Sequence, residues 1–286
     1  MNQNTNLFDD LFAVIPQFPN RHAPSDPLWR IWKAAARPVV DTSFRNGETA
    51  QPFGPFGSIA MPYFKMGNID SLDLFGLDEI IIFAFYHVNR ARYRRVVDFG
   101  ANIGLHTIMM SRCGFEVRSF EPDPVHLDRL KANLVLNGAK SDVRAAAVSL
   151  KDGRAEFVRL VGNTTGSHIK GAKNDAYGPT ELFEVNLEAA APHLAWADLA
   201  KIDIEGHEAA LLAGLPPETW QSTDAILEVG SEVNAQQIFA HLNAPGINMF
   251  AQKIGWKRVA SANDMPTSHR DGSLFLTSKS DMPWNV

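Results

Sequence analysis

From residue 80 onward the chain alternates between short apolar runs and longer segments in which apolar residues recur every three or four positions. The short runs have the length of buried strands, and the longer segments have the periodicity of amphipathic helices. This alternation predicts an α/β fold with a mostly parallel sheet and crossover helices. One predicted strand ends near Val97, and four further strands span residues 115–121, 142–149, 199–204 and 225–229. The predicted helices span residues 80–86, 124–137, 208–214 and 235–242.

Three segments break this alternation. Residues 151–154 carry a hairpin signal, so 155–161 should turn back antiparallel, either on the sheet edge or as a separate ribbon. Residues 162–180 form a long polar segment, which is typical of a functional loop, and we expect a mobile lid there. Near the C-terminus, 256–260 and 273–277 flank a turn-rich stretch and predict a closing antiparallel pair.

Residues 1–78 differ in composition, being rich in Pro, Gly, Phe and Asn, and we interpret them as an N-terminal cap on a main domain of residues 79–286. One helix is expected at 26–36, with Pro27 in its first turn. The stretch 51–64 has too many prolines and glycines for a central strand. Its aromatic residues are expected to pack on the main domain; the alternatives are a wall over a substrate cleft and a contact in a homo-oligomer.

Charge and composition indicate which partners and which cellular compartment to expect. A net charge of -5 gives no electrostatic reason to expect nucleic acid. Because apolar runs are short, no membrane span is predicted. The single cysteine, Cys113, cannot form an internal disulfide and fits a reducing compartment, so a cytoplasmic location is expected.

Residues 95–107 predict a strand, a tight turn and a helix, with Gly100 and Gly104 bracketing the turn. A dinucleotide-binding turn would follow G-x-G-x-x-G, but Asn102 and Leu105 occupy the second and third glycine positions. NAD is therefore disfavoured. A carboxylate, Asp98, together with turn amides suits a ligand that carries an amino-acid moiety and no phosphate, and S-adenosylmethionine is such a ligand.

Glu121 closes the next predicted strand, 23 positions after Asp98 (121 minus 98). A carboxylate at this strand tip can accept hydrogen bonds from both ribose hydroxyls, as the acid of dinucleotide folds does. The alternative is that Glu121 merely opens the helix that follows Pro124, where acids favour the helix dipole. The neighbouring glycine turn favours the ribose clamp.

Residues 201–208 place charge where a parallel strand is normally apolar. Lys201, Asp203 and Glu205 alternate with isoleucines, so one face is charged at the carboxyl end of a predicted strand. Ligands of open α/β sheets bind at that end. A structural ion pair with Lys201 is the alternative to a binding or catalytic role.

Taken together, residues 97–104, 120–122, 201–208 and 227–229 resemble the FkbM-type methyltransferase family, and the match runs from about residue 96 to 256. The resemblance implies a Rossmann-like class I methyltransferase sheet, mostly parallel with an antiparallel C-terminal hairpin. It also implies O-methylation of hydroxyls on sugars, glycans or polyketide-like metabolites. Carried over by position, Asp98, Gly100, Asn102 and Gly104 would line the methionine end of the cofactor, Glu121 its ribose, and Asp203 and Glu205 the methyl group.

The full predicted sites follow from these motifs. The predicted cofactor-binding residues are Asp98, Gly100, Ala101, Asn102, Gly104, Thr107, Glu121, Pro122 and Asp203. A hydroxyl acceptor needs a proton acceptor, for which Asp203, Glu205 and His207 are the candidates; His207 departs from the small or aromatic residue common in the family. His168 is a further candidate, although a lone loop histidine is expected on the solvated surface.

Two alternatives to this function remain open at this point. One is a nucleotide-sugar oxidoreductase or epimerase on a dinucleotide-binding fold, and the other is a non-catalytic adenosyl-binding module. No metal site is predicted, and Mg²⁺ is possible but not favoured. If Mg²⁺ were bound, Asp203, Glu205 and Glu228 would be its carboxylates.

Overall fold

The computed structural model describes residues 6–45, 49–172, 178–243 and 246–284. The N-terminal segment comprises α1 (Leu7–Val14), α2 (Pro27–Phe44), β1 (Gln51–Pro52), β2 (Ser58–Ile59), β3 (Lys65–Met66) and β4 (Ile69–Asp70), and α3 (Leu77–Val88) leads into the main sheet. None of the helices in these residues is long and apolar enough to cross a membrane.

From β5 onward, strands and helices alternate largely as the periodicity predicts. The first part contains β5 (Arg95–Phe99), α4 (Leu105–Arg112), β6 (Glu116–Phe120), α5 (Pro124–Leu136) and β7 (Asp142–Arg144). A middle part contains β8 (Ala147–Ser149), β9 (Gly153–Leu160), β10 (His168–Ile169), β11 (Thr180–Ala189) and α6 (Ala190–Trp196). The last part contains β12 (Leu199–Ile202), α7 (Glu208–Gly214), α8 (Thr219–Ser222), β13 (Asp224–Leu227), α9 (Glu232–Leu242), β14 (Asn248–Ala251), β15 (Lys257–Arg258) and β16 (Leu274–Thr277).

Within the described residues, the central sheet has the strand order β7-β6-β5-β12-β13-β16-β14-β15. The five strands from β7 to β13 are parallel, and β16 runs antiparallel to both of its neighbours. Successive strand residues face opposite helical layers: Val96 packs with α3, α4 and α5, and Val97 with α6, α7 and α9. This confirms the predicted class I methyltransferase fold, with both faces of the parallel sheet covered.

The pairing of the C-terminal strands differs from the prediction. Strands lie within the predicted segments 256–260 and 273–277, but they do not pair with each other. Both pair antiparallel with β14, and β16 inserts between β13 and β14. The sequence analysis missed β14, which has only four residues, although the turn signal Pro245-Gly246 comes shortly before it.

The predicted strand 142–149 is divided between two sheets. Its first half, β7, is an edge of the central sheet, whereas β8 belongs to a second sheet of order β10-β9-β11-β8. The hairpin at 151–154 is followed by a separate ribbon, but β9 pairs with β11 and β10 rather than with β8. Strand β11 was not predicted, although its apolar positions Phe183, Val185 and Leu187 alternate with polar ones.

Only part of the polar segment 162–180 can be compared with the prediction of a lid, because residues 173–177 lie outside the described residues. Asn163 forms a bridge to Gly67, and β10 pairs with β9. His168 is buried on β10, so the expectation that it lies on the solvated surface is wrong. Movement of the segment stays a prediction.

The N-terminal segment shares a hydrophobic core with α3, α4 and α5. Helix α2 is longer than predicted, with Asp26 as its N-cap. Phe53 and Phe56 are buried against Phe12 and Phe83, so these aromatics pack on the main domain and do not form a substrate wall. The domain boundary at residue 78 and a homo-oligomer through this segment stay predictions.

Candidate active site

The glycine turn is held tightly between β6 and β12. Gly100 has φ of 80°, and a Cβ at this position would overlap the backbone carbonyl of Asp203. Its N–H and that of Ala101 both donate to the Phe120 carbonyl, at 3.1 and 2.9 Å. The N–H groups of the rest of the turn, up to Gly104, also have acceptors within the protein. A ligand would therefore meet the bare Cα of Gly100 more readily than free turn amides.

Asp98 lies beneath this turn and not in contact with the cleft described below. It is fully buried, and its Oδ2 accepts a hydrogen bond of 2.6 Å from the Thr107 hydroxyl. Its Oδ1 is also buried, has no hydrogen-bond donor among the described residues, and lies 3.7 Å from the Lys201 ammonium. Four predicted cofactor-binding residues do not line the cleft: Asp98 and Thr107 lie behind the turn, and Ala101 and Gly104 are part of it.

Glu121, in contrast, faces the cleft with a fixed carboxylate. Its Oε2 accepts from the Asn102 N–H and its Oε1 from the Asp123 N–H, each at 2.8 Å. Burial of the side chain raises the pKa of Glu121 to about 8, since its desolvation outweighs these two hydrogen bonds. Each oxygen keeps the capacity for a second hydrogen bond, which two hydroxyl groups could supply.

The charged face of β12 contains the ion pair that the sequence analysis considered as an alternative. Lys201 donates to the Gly100 carbonyl at 3.0 Å and to Asp203 Oδ2 at 3.1 Å. Although burial alone would lower it, the carboxylates of Asp203 and Asp98 hold the pKa of Lys201 above its ordinary value. Asp203 nevertheless lines the cleft, so it is both an ion-pair partner and an accessible acceptor.

The turn after β12 is shaped by a buried acid. Glu208 accepts hydrogen bonds from the N–H groups of Ile204 and Gly206 at 2.9 Å, and burial raises its pKa. Glu205 takes a φ of 55°, which is unusual for a residue with a side chain, and it lines the cleft. His207 is the N-cap residue of α7 and does not line the cleft, and burial lowers its pKa.

These elements enclose a cleft of about 450 Å³ at the carboxyl ends of β5, β6, β12 and β13. Of the predicted residues, it brings together Gly100, Asn102, Glu121, Pro122, Asp203 and Glu205. Glu228, which follows β13, also lines it, and burial together with the Asp203 and Glu205 charges raises the pKa of Glu228.

Other cleft residues were not identified from the sequence, and most of them come from elements distant along the chain from the predicted motifs. They are Ile69, Asp73, Leu74 and Glu79 from the N-terminal part, Asp123 and His126 at the start of α5, Phe157, Ile169 and residues 163–167 of the second sheet, residues 146–148, and His269. The polar composition of 162–180 is the one sequence signal that pointed towards part of this set.

A buried ion pair attaches the second sheet to the cleft. The Arg159 guanidinium binds Asp123 through two hydrogen bonds of 2.6 and 2.7 Å. Although burial alone would raise it, these bonds hold the pKa of Asp123 below its usual value. His126 Nε2 lies 2.9 Å from the Thr164 hydroxyl, a second contact between α5 and the ribbon. Residues of the second sheet thus form one wall of the cleft, joined to α5 by these contacts.

The described residues of the cleft include no arrangement that could hold a metal ion. Among residues 6–45, 49–172, 178–243 and 246–284, no three His, Cys, Asp or Glu side chains form a group that could hold one.

Comparison with known proteins now adds the family. Residues 98–250, more than half of the chain, match the model of the methyltransferase FkbM domain. The chain belongs to the FkbM methyltransferase family. This confirms the resemblance drawn from the motifs, and it makes the protein an S-adenosylmethionine-dependent methyltransferase.

Individual relatives of this FkbM methyltransferase are distant. Methyltransferase sdnD of Sordaria araneosa is 27% identical over 197 residues, which cover 56% of this chain and 76% of that protein. Among solved structures, cofactor-bound Rv0187 from MTB is 12% identical, covering 86% of this chain and 89% of that one, with a TM-score of 0.38. The O-methyltransferase from Bacillus cereus in complex with SAH is 13% identical, covering 69% and 80%, with a TM-score of 0.39.

The cleft of this FkbM methyltransferase fits its cofactor. Its volume of about 450 Å³ falls in the range of roughly 300–1,000 Å³ typical of small-molecule sites. Gly100 lines the cleft, and its lack of a side chain lets the Asp203 carbonyl pack against the turn, while Glu121 presents oxygens with spare acceptor capacity. None of the described residues that line the cleft is Lys or Arg, so a pyrophosphate would find no cation there.

Proposed function

We propose that the protein transfers a methyl group from S-adenosylmethionine to a hydroxyl of a sugar, a glycan or a polyketide-like metabolite. The observation that carries this proposal is the composition of the cleft, in which Asp203, Glu205 and Glu228 stand at the ends of β12 and β13, beside the glycine turn and Glu121. Carboxylates accept hydrogen bonds from hydroxyl groups, and they repel phosphorylated or carboxylated compounds.

The cofactor would be held by residues at the ends of β5 and β6. Gly100 and Asn102 would contact its methionine portion, and Glu121 and Pro122 its ribose. When bound, S-adenosylmethionine supplies an electrophilic methyl group on a positively charged sulfur. The remaining task of the protein is to orient the acceptor oxygen in line with that methyl group and to exclude water.

Asp203 and Glu205 are then left to face the acceptor. Because the Lys201 ammonium already stabilises its charge at 3.1 Å, Asp203 is suited to receive a hydrogen bond from the acceptor and to orient it. His207 lies outside the cleft and can act only through a neighbour.

Calorimetry tests the cofactor, and turnover tests the reaction. We expect S-adenosylmethionine and S-adenosylhomocysteine to bind and NAD not to bind. Incubation with methyl-labelled S-adenosylmethionine and a panel of methyl glycosides, oligosaccharides and macrolactones should then label a hydroxyl. Binding of NAD alone would favour the oxidoreductase alternative, and cofactor binding without turnover on any acceptor would favour the adenosyl-binding module.

Glu121→Gln is expected to weaken S-adenosylhomocysteine binding by about 1.5–3 kcal/mol, on the order of 10- to 100-fold, because hydrogen bonds to a charged acceptor are lost. The substitution keeps the size of the side chain. Exposed Glu218→Gln, which does not line the cleft, serves as the control and should bind as the wild type does. Wild-type affinity in the folded Glu121 variant would remove this residue from the cofactor site.

Cofactor binding is expected to release a proton near neutral pH. The pKa of Glu121 is about 8 in the free protein against an ordinary 4.5, and ribose hydroxyls bind the ionised form, so affinity should rise with pH up to about 8. Because the pKa of Glu121 is higher in the folded protein than in the unfolded chain, its protonation stabilises the fold of the free protein. This stabilisation is complete below pH 4.5 and is lost as the pH rises through 8. Calorimetry in buffers of different ionisation enthalpy measures the released proton, which should disappear in Glu121→Gln.

A further inference from the structure

Glu79 is a cleft carboxylate outside the stretch that matches the family model. It lies in the first turn of α3, and its side chain is 38% exposed. Helix α3 packs against α4, the helix that follows the glycine turn, and this packing brings Glu79 to the cleft. Glu79 is therefore a carboxylate at the candidate active site that belongs to none of the sequence motifs.

The orientation of Glu79 is set by two further residues. Its Oε2 lies 2.7 Å from His106 Nε2, and His106 Nδ1 lies 3.0 Å from the Tyr86 hydroxyl. Tyr86 is fully buried on α3, and His106 is on α4. The three side chains form a continuous hydrogen-bonded series from the core to the cleft, in which the other carboxylate oxygen of Glu79 takes no part.

The buried Tyr86 hydroxyl determines which tautomer of the His106 imidazole is favoured. Among the described residues, His106 is the sole hydrogen-bond partner of the Tyr86 hydroxyl, and burial raises the pKa of Tyr86, so the hydroxyl keeps its proton. It donates that proton to His106 Nδ1, because a buried hydroxyl hydrogen without an acceptor is costly. The Nε2 of His106 then carries the ring N–H that is donated to Glu79.

We propose that Glu79 is the proton acceptor for the incoming hydroxyl, and that His106 and Tyr86 are its positioning residues. This inference rests on the proposed O-methyltransferase function. Two of the three predicted candidates are less suited: Asp203 is paired with the Lys201 ammonium at 3.1 Å, and His207 lies outside the cleft. Glu79 accepts a hydrogen bond from His106 and, among the described residues, forms no ion pair with a lysine or arginine, although the Lys201 ammonium is near enough to interact with its charge.

In the step that this assigns, the acceptor oxygen forms a bond to the methyl carbon while its O–H proton passes to Glu79. The electron pair of the breaking carbon–sulfur bond stays on sulfur, whose positive charge is thereby neutralised. Glu79 returns the proton to solvent after the product leaves. No oxidant, reductant or metal ion is required for the balance.

With an acceptor from the panel above, Glu79→Gln is expected to lower kcat about 10²-fold, because the proton acceptor is removed. Affinity for S-adenosylhomocysteine and KM for the acceptor should change little, and Glu79→Asp should recover part of the lost kcat. Tyr86→Phe keeps the buried ring and should lower kcat to a smaller extent. A Glu79→Gln enzyme with wild-type kcat, or one that loses cofactor affinity instead, would overturn the proposal.

The matched control is Glu232→Gln, an exposed glutamate in the first turn of α9 that does not line the cleft. It should retain wild-type kcat. A wild-type protein that binds no S-adenosylmethionine would contradict the proposed function itself. Wild-type turnover that survives in Glu79→Gln would contradict only the role of Glu79.

The positioning of Glu79 by His106 and Tyr86 can be tested without a methyl acceptor. Nitrogen-15 NMR of histidine-labelled protein saturated with S-adenosylhomocysteine, with the His106 signals assigned by their loss in His106→Gln, distinguishes the two neutral tautomers from imidazolium. We expect the Nε2–H tautomer in the wild type and its loss in Tyr86→Phe. An imidazolium at neutral pH would pair with Glu79 and reduce its basicity, which would overturn the proposal.

Discussion

Lys201→Met is expected to lower the free energy of unfolding by about 3–5 kcal/mol, because it leaves a buried carboxylate without its cation. Asp98 is fully buried, and its Oδ1 has no hydrogen-bond donor among the described residues; the Lys201 ammonium, 3.7 Å away, is the charge that compensates it. Lys201 also donates to the Gly100 carbonyl at 3.0 Å, so the glycine turn should loosen as well.

Urea unfolding followed by circular dichroism measures this loss. The control is Lys257→Met, an exposed lysine on β15, which should change stability by no more than about 0.5 kcal/mol. Combining Lys201→Met with Asp98→Asn should restore part of the stability, since the uncompensated charge is then removed. A Lys201→Met protein as stable as the wild type would mean that Asp98 is compensated in another way.

Asp203→Asn is expected to lower turnover about 10²-fold with little change in cofactor affinity. The carboxylate lies at the end of β12 and lines the cleft, while Gly100 and Glu121 account for the methionine and ribose portions of the cofactor. Asparagine keeps the size but presents a weaker acceptor, so the hydroxyl would be less well oriented, and small errors in orientation reduce rates on this scale.

Steady-state kinetics with a panel acceptor, together with calorimetry for S-adenosylhomocysteine, separates the two effects. Exposed Asp281→Asn serves as the control. If Asp203 instead held a metal ion, wild-type turnover would vanish in EDTA and return with Mg²⁺. Normal turnover in a stable Asp203→Asn enzyme would leave Glu205 as the remaining β12 candidate for orienting the acceptor.

The sequence motifs identify residues that lie near the site, but they do not show which of these residues face the cleft. Gly100 and Glu121 were recognised because each directly follows a short apolar strand, and the ends of parallel strands meet at one edge of a sheet. Asp98 and Thr107 belong to the same motif but lie behind the turn. The motif places all of these residues near one another, whereas which of them face the cleft depends on packing against β6 and β12.

By itself, the sequence determined the α/β class, the parallel core strands, the glycine turn and the family, because periodicity and turn chemistry act over a few residues. The tertiary structure alone decided that β14 pairs with β15 and β16, that β11 completes a second sheet, and that Glu79 reaches the cleft through His106 and Tyr86. Apart from the pairing of β14 with β15, these contacts join segments that are not adjacent in the chain. The burial and hydrogen bonding that stabilise these contacts exist only once the layers have packed together. A local sequence pattern therefore does not specify which segments come into contact.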